Sequence, residues 1–269
     1  MELESLGIIV PASLSLQQPS WYAPHSALAD HVQCIWCMPL QPDTTRSIEK
    51  LYPDAGASLM FEFTRSNVVC RFCFNTDTIP HRWSSDAEHL SVRLKPGAIP
   101  VLLSPVFLTS VNQSQQVDEY DLPGITALCE ALLPLAAEQR VMCIQQWLLS
   151  RLQCHMQRNK PVNTALVAAL CSITASPEQH ARELGMSRRT LERRMRSLMG
   201  ITPNQMLSFH RIRKARELLL RGKTPLADIA VLAGFYDQAH FTNLFHEATM
   251  ESPAQYRRRK LSQISNTST

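Results

Sequence analysis

The sequence lacks the features of several large classes of protein. No run approaches the roughly 20 apolar residues that a membrane-spanning helix needs. The first ten residues, MELESLGIIV, are acidic where a secretion signal would be basic, and their apolar run is short. We therefore expect a cytoplasmic protein with no membrane partner.

Motifs of the common enzyme classes are also missing. The chain contains no GxSxG, P-loop, HExxH or GxGxxG sequence. The HxH spacing of a metal-binding cupin barrel is not found among the histidines of the first part, which are His25, His31, His81 and His89. We therefore predict that the protein is not an enzyme and needs no cofactor.

Cysteine is more plentiful, and its spacing leaves one alternative open. Cys34 and Cys37 form one CxxC pair and Cys70 and Cys73 form another, so four thiolates could bind zinc. However, the glycine-rich turns that wrap a CxxC pair around a metal are absent. Both pairs lie in strand-like apolar runs, where residues three apart point to opposite faces of a sheet. Buried thiols are the preferred interpretation, and a metal or redox site is the alternative.

Charge divides the chain into two unlike parts. Residues 1–160 contain 11 Lys and Arg against 15 Asp and Glu, whereas residues 161–269 contain 16 against 8. A length of 269 residues favours two domains. The basic second part predicts a module that binds a polyanion.

Periodicity supports the same division and predicts an α+β fold. The runs VQCIWCM, SLMFEF and NVVCRFCF read as strands between turn signals, so residues 1–158 are predicted to form a β-rich domain with a helical segment at about 124–156. The polar, proline-containing stretch 157–163 is the expected linker. Residues 163–260 are helix-periodic throughout, and residues 261–269 are predicted to be a flexible tail.

An internal repeat organises the second part. Ala181 and Gly185 recur 49 residues later as Ala230 and Gly234. Four further landmarks recur at a spacing of 50, namely Leu191 with Phe241, Met195 with Phe245, Pro203 with Pro253, and Gln205 with Gln255. Each copy reads as a helix, a glycine turn and a second helix, which is the layout of a helix-turn-helix. The two units are predicted at about 177–198 and 226–249, joined by one long helix at 203–222.

The second helix of each unit would enter the major groove of DNA. In the stretch SRRTLERRMR (187–196), helical geometry turns Leu191 and Met195 inward and sets Arg189, Arg193 and Arg196 outward, with Glu192 beside them. A merely solvated face would mix Lys, Glu and Gln, whereas an arginine fork suits guanine edges and phosphates. The second copy carries little fixed charge on its outward face. Arg211 and Arg213 of the long helix are weaker candidates for phosphate contacts.

These segments resemble a known family. ARELGMSRRTLERRMRSLMGITPNQ, RIRKARELLL and DIAVLAGFYDQAHFTNLFHEATMESPAQYRR are similar to the DNA-binding domain of AraC/XylS-type bacterial transcription regulators, over about residues 163–259. The resemblance implies two helix-turn-helix units joined by a long helix. It places base contacts at Arg188, Arg189, Glu192 and Arg193 in the first unit and at Gln238, Ala239, His240 and Asn243 in the second. Many members have arginine where this chain has Asn243, and a glycine where it has Met250.

The resemblance also implies partners. Double-stranded DNA is the main one, RNA polymerase is a further expected partner, and the N-terminal domain of such regulators commonly senses a small-molecule or protein effector or forms a homodimer. The segments PDAGASLMFEF and RLKPG loosely resemble the β-rich regions of some members. An alternative function follows from the cysteine pairs: a redox, metal or alkylation sensor similar to Ada-type proteins, using the same DNA-binding domain.

Overall fold

The computed structural model describes residues 19–40, 48–158, 164–221 and 224–266. Eight strands occupy the N-terminal part: β1 (Ser20–Tyr22), β2 (Val32–Met38), β3 (Ile48–Leu51), β4 (Ala57–Phe63), β5 (Val68–Phe74), β6 (Ile79–Arg82), β7 (Glu88–Leu94) and β8 (Gln113–Gln116). Six of them form one antiparallel sheet in the order β1-β2-β7-β4-β5-β8, and β3 pairs with β6 in a second sheet.

The first α-helix lies between β7 and β8, and the others follow β8. Three belong to the first part, namely α1 (Ile99–Leu102), α2 (Ile125–Leu132) and α3 (Ala137–Arg158). Seven form the second part, namely α4 (Thr164–Cys171), α5 (Pro177–Glu183), α6 (Arg188–Met199), α7 (Pro203–Leu220), α8 (Leu226–Leu232), α9 (Gln238–Thr249) and α10 (Pro253–Asn266). The predicted α+β fold class is confirmed. Within the described ranges, none of the helices combines the length and the apolar character needed to span a bilayer.

The C-terminal end differs from expectation. A flexible tail was expected from residue 261, whereas α10 continues to Asn266. The sequence from Leu261 to Asn266 holds no proline or glycine that would end a helix, so the polar composition alone was misleading. The expected linker residues 159–163 and the expected stop at Gly222 lie outside the described residues.

The six-stranded sheet buries both of its faces. One face carries Leu59, Phe61, Leu90 and Val92, which join a core with the buried residues of α1, α2 and α3. The guanidinium of Arg140 on α3 lies 3.9 Å from the centre of the Phe63 ring at the edge of this core. The opposite face carries Trp36 and Met60, which pack with Trp83 in a smaller cluster.

The two CxxC pairs are divided between these faces. Cys37 and Cys70 belong to the helix-covered core, whereas Cys34 and Cys73 belong to the smaller cluster. Strands β2 and β5 are also separated by β7 and β4, which at about 4.8 Å per strand puts Cys34 and Cys73 roughly 14 Å apart. Four thiolates so arranged cannot surround one zinc ion, whose bonds to sulfur are about 2.3 Å long.

The first helix-turn-helix unit packs into the core of the β-rich part. Leu191, Met195 and Met199 of α6 share one continuous apolar cluster with the sheet and α1 to α3. The second unit has its own core around Phe241, Phe245 and Tyr256. One hydrophobic core therefore continues across the boundary between the acidic and the basic part of the chain.

The repeat also governs how the helices begin. Thr202 and Gln205 form a capping box at the start of α7, where the Thr202 N–H donates to the Gln205 side chain at 2.8 Å. Ser252 and Gln255 repeat it at the start of α10, with the Ser252 N–H donating to the Gln255 side chain at 2.9 Å. The sequences TPNQ and SPAQ therefore begin α7 and α10 at equivalent positions of the repeat.

Equivalent positions also end the two recognition helices. Gly200 ends α6 and Met250 ends α9, both in the left-handed conformation, with φ of 71° and 60°. Glycine adopts this conformation freely, whereas a side chain makes it costly. The Met250 side chain is exposed, so burial offsets little of that cost.

We expect Met250→Gly to stabilise the protein by about 1 kcal/mol, because it removes the steric cost of a left-handed non-glycine residue. Thermal unfolding followed by circular dichroism measures the change. Met142→Gly, at an exposed position within α3, is the matched control and should destabilise by about 1 kcal/mol. A lower melting temperature for Met250→Gly would show that the side chain makes a stabilising contact.

A second prediction concerns the thiols. Burial raises the pKa of Cys34 and Cys37 to about 12 and that of Cys73 to about 11, so these thiols stay protonated at neutral pH. They should react with thiol reagents only after unfolding, and purified protein should hold no stoichiometric zinc. Zinc that is lost in Cys34→Ser but retained in Cys143→Ser would contradict this expectation.

Candidate nucleic-acid interface

Local sequence signals fix the first recognition helix, α6. The Ser187 hydroxyl accepts a hydrogen bond from the Thr190 N–H at 3.1 Å and so caps the helix start. Leu191, Met195 and Met199 recur at helical spacing and are buried against the neighbouring core. Burial of this side forces the remaining positions of the helix outward.

The outward side of α6 is basic. Arg189, Arg193, Arg194 and Arg196 are all exposed. Fixed positive charge on one side of a capped helix is suited to the phosphates and guanine edges of DNA.

Two of the predicted contact residues already have acidic partners. Arg188 is half-buried and forms an ion pair with Glu178 of α5, the first helix of the unit. Arg196 pairs with Glu192 one turn away at 3.1 Å. Exposed pairs of this kind contribute little stability, so DNA phosphates can compete for Arg196 at small cost. Arg189 and Arg193 are the centre of this exposed face.

The second recognition helix, α9, has the same construction and a different surface. Asp237 caps it by accepting a hydrogen bond from the His240 N–H at 2.7 Å, and Phe241 and Phe245 are buried. Of the predicted contact residues, Gln238, Ala239 and Asn243 are exposed. They offer amide hydrogen bonds and apolar contact but no fixed charge.

His240 is held by the turn before α9. Its Nδ1 accepts a hydrogen bond from the Tyr236 N–H at 3.2 Å, and its ring lies 5.8 Å from that of Phe235. The imidazole is half-buried and stabilises the turn through Nδ1. Only Nε2 remains available to a ligand. Tyr236 is 90% exposed and next to the helix cap, which makes it a candidate contact that sequence reasoning did not single out.

The connecting helix α7 places its two basic candidates differently. Arg211 lies against Gly234, the turn glycine of the second unit. Arg213 donates to Glu217 at 3.0 Å and lines a cavity against the β-rich part of the chain. Lys214, which follows Arg213, is exposed, and it is the best placed of the three for a phosphate.

Comparison with known proteins agrees with this geometry. Residues 180–259 match the family described as a helix-turn-helix domain. The transcriptional activator RhaS of Shigella boydii serotype 18 is 33% identical over 131 residues, covering 46% of this chain and 47% of RhaS. RhaS of Escherichia coli O1:K1 is 32% identical over 152 residues, covering 54% and 51%. The chain spans about half the length of the curated relatives it matches.

The C-terminal part of the chain is thus a helix-turn-helix DNA-binding domain. Together with the repeat and its motifs, these matches make this domain similar to the DNA-binding domain of AraC/XylS-type regulators. The curated relatives described above are transcriptional activators, not enzymes. Residues 20–113 match a family described only as a domain of unknown function, DUF6597.

Solved structures provide weaker comparisons. The DNA-binding domain of AdpA, solved in complex with a target DNA, is 31% identical, covers 36% of this chain and 90% of that chain, and gives a TM-score of 0.34. ToxT from Vibrio cholerae O395 is 12% identical, covers 83% and 95%, and gives a TM-score of 0.37. At these TM-scores neither likeness carries an argument about geometry.

The contrast between the two recognition helices gives a prediction. Asn243→Arg should strengthen DNA binding, because it adds a donor fork to the uncharged exposed side of α9. We expect the dependence of log K on log salt to steepen by about 0.9, as one further phosphate contact would cause. Titration of labelled target DNA at several salt concentrations measures both quantities.

Gln157→Arg is the matched control for this substitution. It adds the same charge at an exposed position of α3, and it should leave the salt dependence unchanged. Equal effects of the two substitutions would show that α9 does not meet DNA through its Asn243 side.

Proposed function

We propose that the protein is a sequence-specific transcription regulator in which one chain reads two successive major-groove segments of DNA. In this proposal α6 and α9 are the reading helices and α7 spaces them. Base contacts come from Arg189, Arg193 and Glu192 in the first unit and from Gln238, Ala239 and Asn243 in the second. Arg188 and His240, which already have partners within the protein, contribute less.

One observation carries the proposal. Arg189 and Arg193 lie exposed on the outward side of a capped helix whose inner side is buried, within a domain that matches the helix-turn-helix family. A helix fixed from behind in this way can present its side chains to a groove with little loss of conformational entropy on binding. Arg196 and Lys214 supply phosphate contacts on either side.

The N-terminal domain modulates the activity in this proposal, either by binding an effector or by forming a homodimer. Methionines Met142 and Met156 are exposed on α3, which offers an apolar surface to a second copy. RNA polymerase is the expected partner at a promoter, and the cytoplasm is the expected location. The alternative of a zinc-based or alkylation sensor is disfavoured, because the four cysteines lie on two faces of the sheet.

The proposal is tested with two arginines of α6. Arg193→Ala should weaken specific binding by about 1–3 kcal/mol and relax the preference at one base position. Arg196→Ala should lower affinity evenly across sequences and reduce the salt slope by about one. Binding sites selected from a random DNA library, followed by salt titrations, separate these two effects.

Arg65→Ala is the control, because Arg65 is exposed in the turn between β4 and β5 of the β-rich domain. It should leave both affinity and base preference unchanged. The assignment of α6 as a reading helix is wrong if the selected sequence is the same for the wild type, Arg193→Ala and Arg196→Ala.

A further inference from the structure

The face of the large sheet that carries Trp36 and Met60 also carries an unusual row of polar side chains and thiols. The register aligns Cys34 with Arg93, Arg93 with Ser58, and Ser58 with Cys73, so these residues point to one face of four adjacent strands. Arg93 donates to the Ser58 hydroxyl at 2.9 Å. Ser91 lies two residues before Arg93 on β7, on the same face of the sheet, and is 2% exposed. Polar side chains at the centre of a covered sheet face are costly unless something binds them.

A cavity of about 150 Å³ lies above these rows. The sheet forms its floor, β3 and the following residues form one wall, and α7 of the DNA-binding domain forms another. A cavity of this size accommodates about one benzene ring. The cavity therefore joins the two functional parts of the chain and is large enough for a small organic molecule.

The charge around the cavity is positive. Its lining includes four basic residues, Lys50, Arg93, Arg213 and Arg216, and one acidic residue, Asp54. Three of the basic residues have carboxylate partners, because Lys50 pairs with Glu251, Arg93 with Asp54 and Arg213 with Glu217. The fourth, Arg216, differs from them.

Arg216 is only 7% exposed, and no carboxylate in the described part of the chain forms an ion pair with it. Its guanidinium lies 3.9 Å from the centre of the Tyr52 ring, and its Nε donates to the Tyr256 hydroxyl at 3.0 Å. Burial raises the pKa of Tyr52 to about 12, so that phenol is neutral at physiological pH. A buried cation without a counter-ion is destabilising, and an anion in the cavity would compensate it.

The remaining walls are aromatic. Trp21, Trp36 and Trp83 line the cavity, and the rings of Trp36 and Trp83 meet edge to face at 5.2 Å. The Trp83 Nε1 is buried and finds no hydrogen-bond acceptor among the described residues. Flat apolar walls favour a planar ring. An unpaired indole N–H favours a ligand that also carries an acceptor.

We propose that this cavity binds a small carboxylate with a single planar ring, whose carboxylate pairs with Arg216 and whose ring packs against Trp36 and Trp83. The inference rests on the proposed function, since it assigns the location and chemical class of the effector. An aliphatic acid offers no flat face to Trp36 and Trp83, and a neutral ring leaves Arg216 without a counter-ion.

The same residues connect the cavity to the second recognition helix. Lys50 donates to the carbonyls of Thr249 and Met250 at 2.9 and 3.4 Å, at the end of α9. The Tyr52 hydroxyl lies 3.4 Å from Glu251, which also pairs with Arg259 of α10. Burial alone would raise the pKa of Glu251, but the hydrogen bond and charge of Arg259 and the charge of Lys50 lower it. A ligand that draws Arg216 from Tyr52 thus shifts contacts that hold α9, which makes DNA affinity sensitive to the ligand.

Tryptophan fluorescence of the full chain tests the binding step. The probes are benzoate, phenylacetate and cinnamate, with benzamide as the neutral counterpart and octanoate as the aliphatic one. We expect at least one ring carboxylate to change the emission saturably, with benzamide and octanoate bound at least tenfold more weakly. Trp147→Phe should keep the signal, because Trp147 lies on α3, whereas Trp36→Phe should reduce it.

Substitutions locate the site. Arg216→Gln should weaken probe binding roughly 30-fold or more, as expected when one member of a buried charge pair is removed. Arg221→Gln, exposed just beyond the same helix, should have no effect. Ser91→Leu fills the cavity from the sheet side and should also abolish binding, while its melting temperature reports that the protein remains folded.

Three outcomes would overturn the inference: no response to any ring carboxylate at 10 mM or so, equal binding of benzamide, or unchanged binding in a folded Ser91→Leu variant. DNA affinity is measured by titration with and without the probe, independently of the fluorescence measurement of probe binding. A protein that binds DNA but none of the probes loses this inference and keeps its proposed function. A protein that binds the probes but not DNA loses the proposed function.

Discussion

The contact between Arg216 and Tyr52 is the interaction on which the placement of the second helix-turn-helix unit depends. Arg216 belongs to the helix that joins the two DNA-reading units, and Tyr52 follows β3 of the N-terminal domain. Their stacking buries a guanidinium at the boundary between sheet and helix. The aromatic and ionic contacts of Glu251, Arg259 and Tyr256 then extend that boundary to the last helix. The orientation of the second unit relative to the sheet follows from this small set of polar contacts.

The two units differ in how they are supported and in what they present. The first shares the large apolar core of the β-rich domain and exposes arginines, whereas the second has a separate aromatic core and exposes amides and a methyl group. Charge on the first unit provides attraction that does not depend on sequence. The second unit adds contacts that are weaker and more dependent on the exact bases. Affinity and selectivity are therefore divided unequally between two copies of one motif.

Short-range chemistry explains which features the sequence could predict. Ser187, Asp237 and the Thr-Pro and Ser-Pro starts act within one helical turn, so their roles are visible in the sequence and agree with the structure. The alternation of Cys34 and Cys37 across a strand is equally local. The position of Arg213 at a cavity wall and the pairing of Arg188 with Glu178 depend on which elements pack against each other, and periodicity within one helix does not predict them. The continuation of α10 to Asn266 is different, because the lack of a proline or glycine stop was visible in the sequence and the polar composition was given too much weight.

The separate core of the second unit has a kinetic consequence. Regions that share a core tend to open together, whereas a region with its own small core can open alone. Backbone amides of α6 should therefore exchange with solvent at rates set by the β-rich domain, and those of α9 at rates set by Phe241, Phe245 and Tyr256. The molecule can then loosen one of its reading helices for a moment and keep the other in place, which would let it release and regain one groove without leaving the DNA.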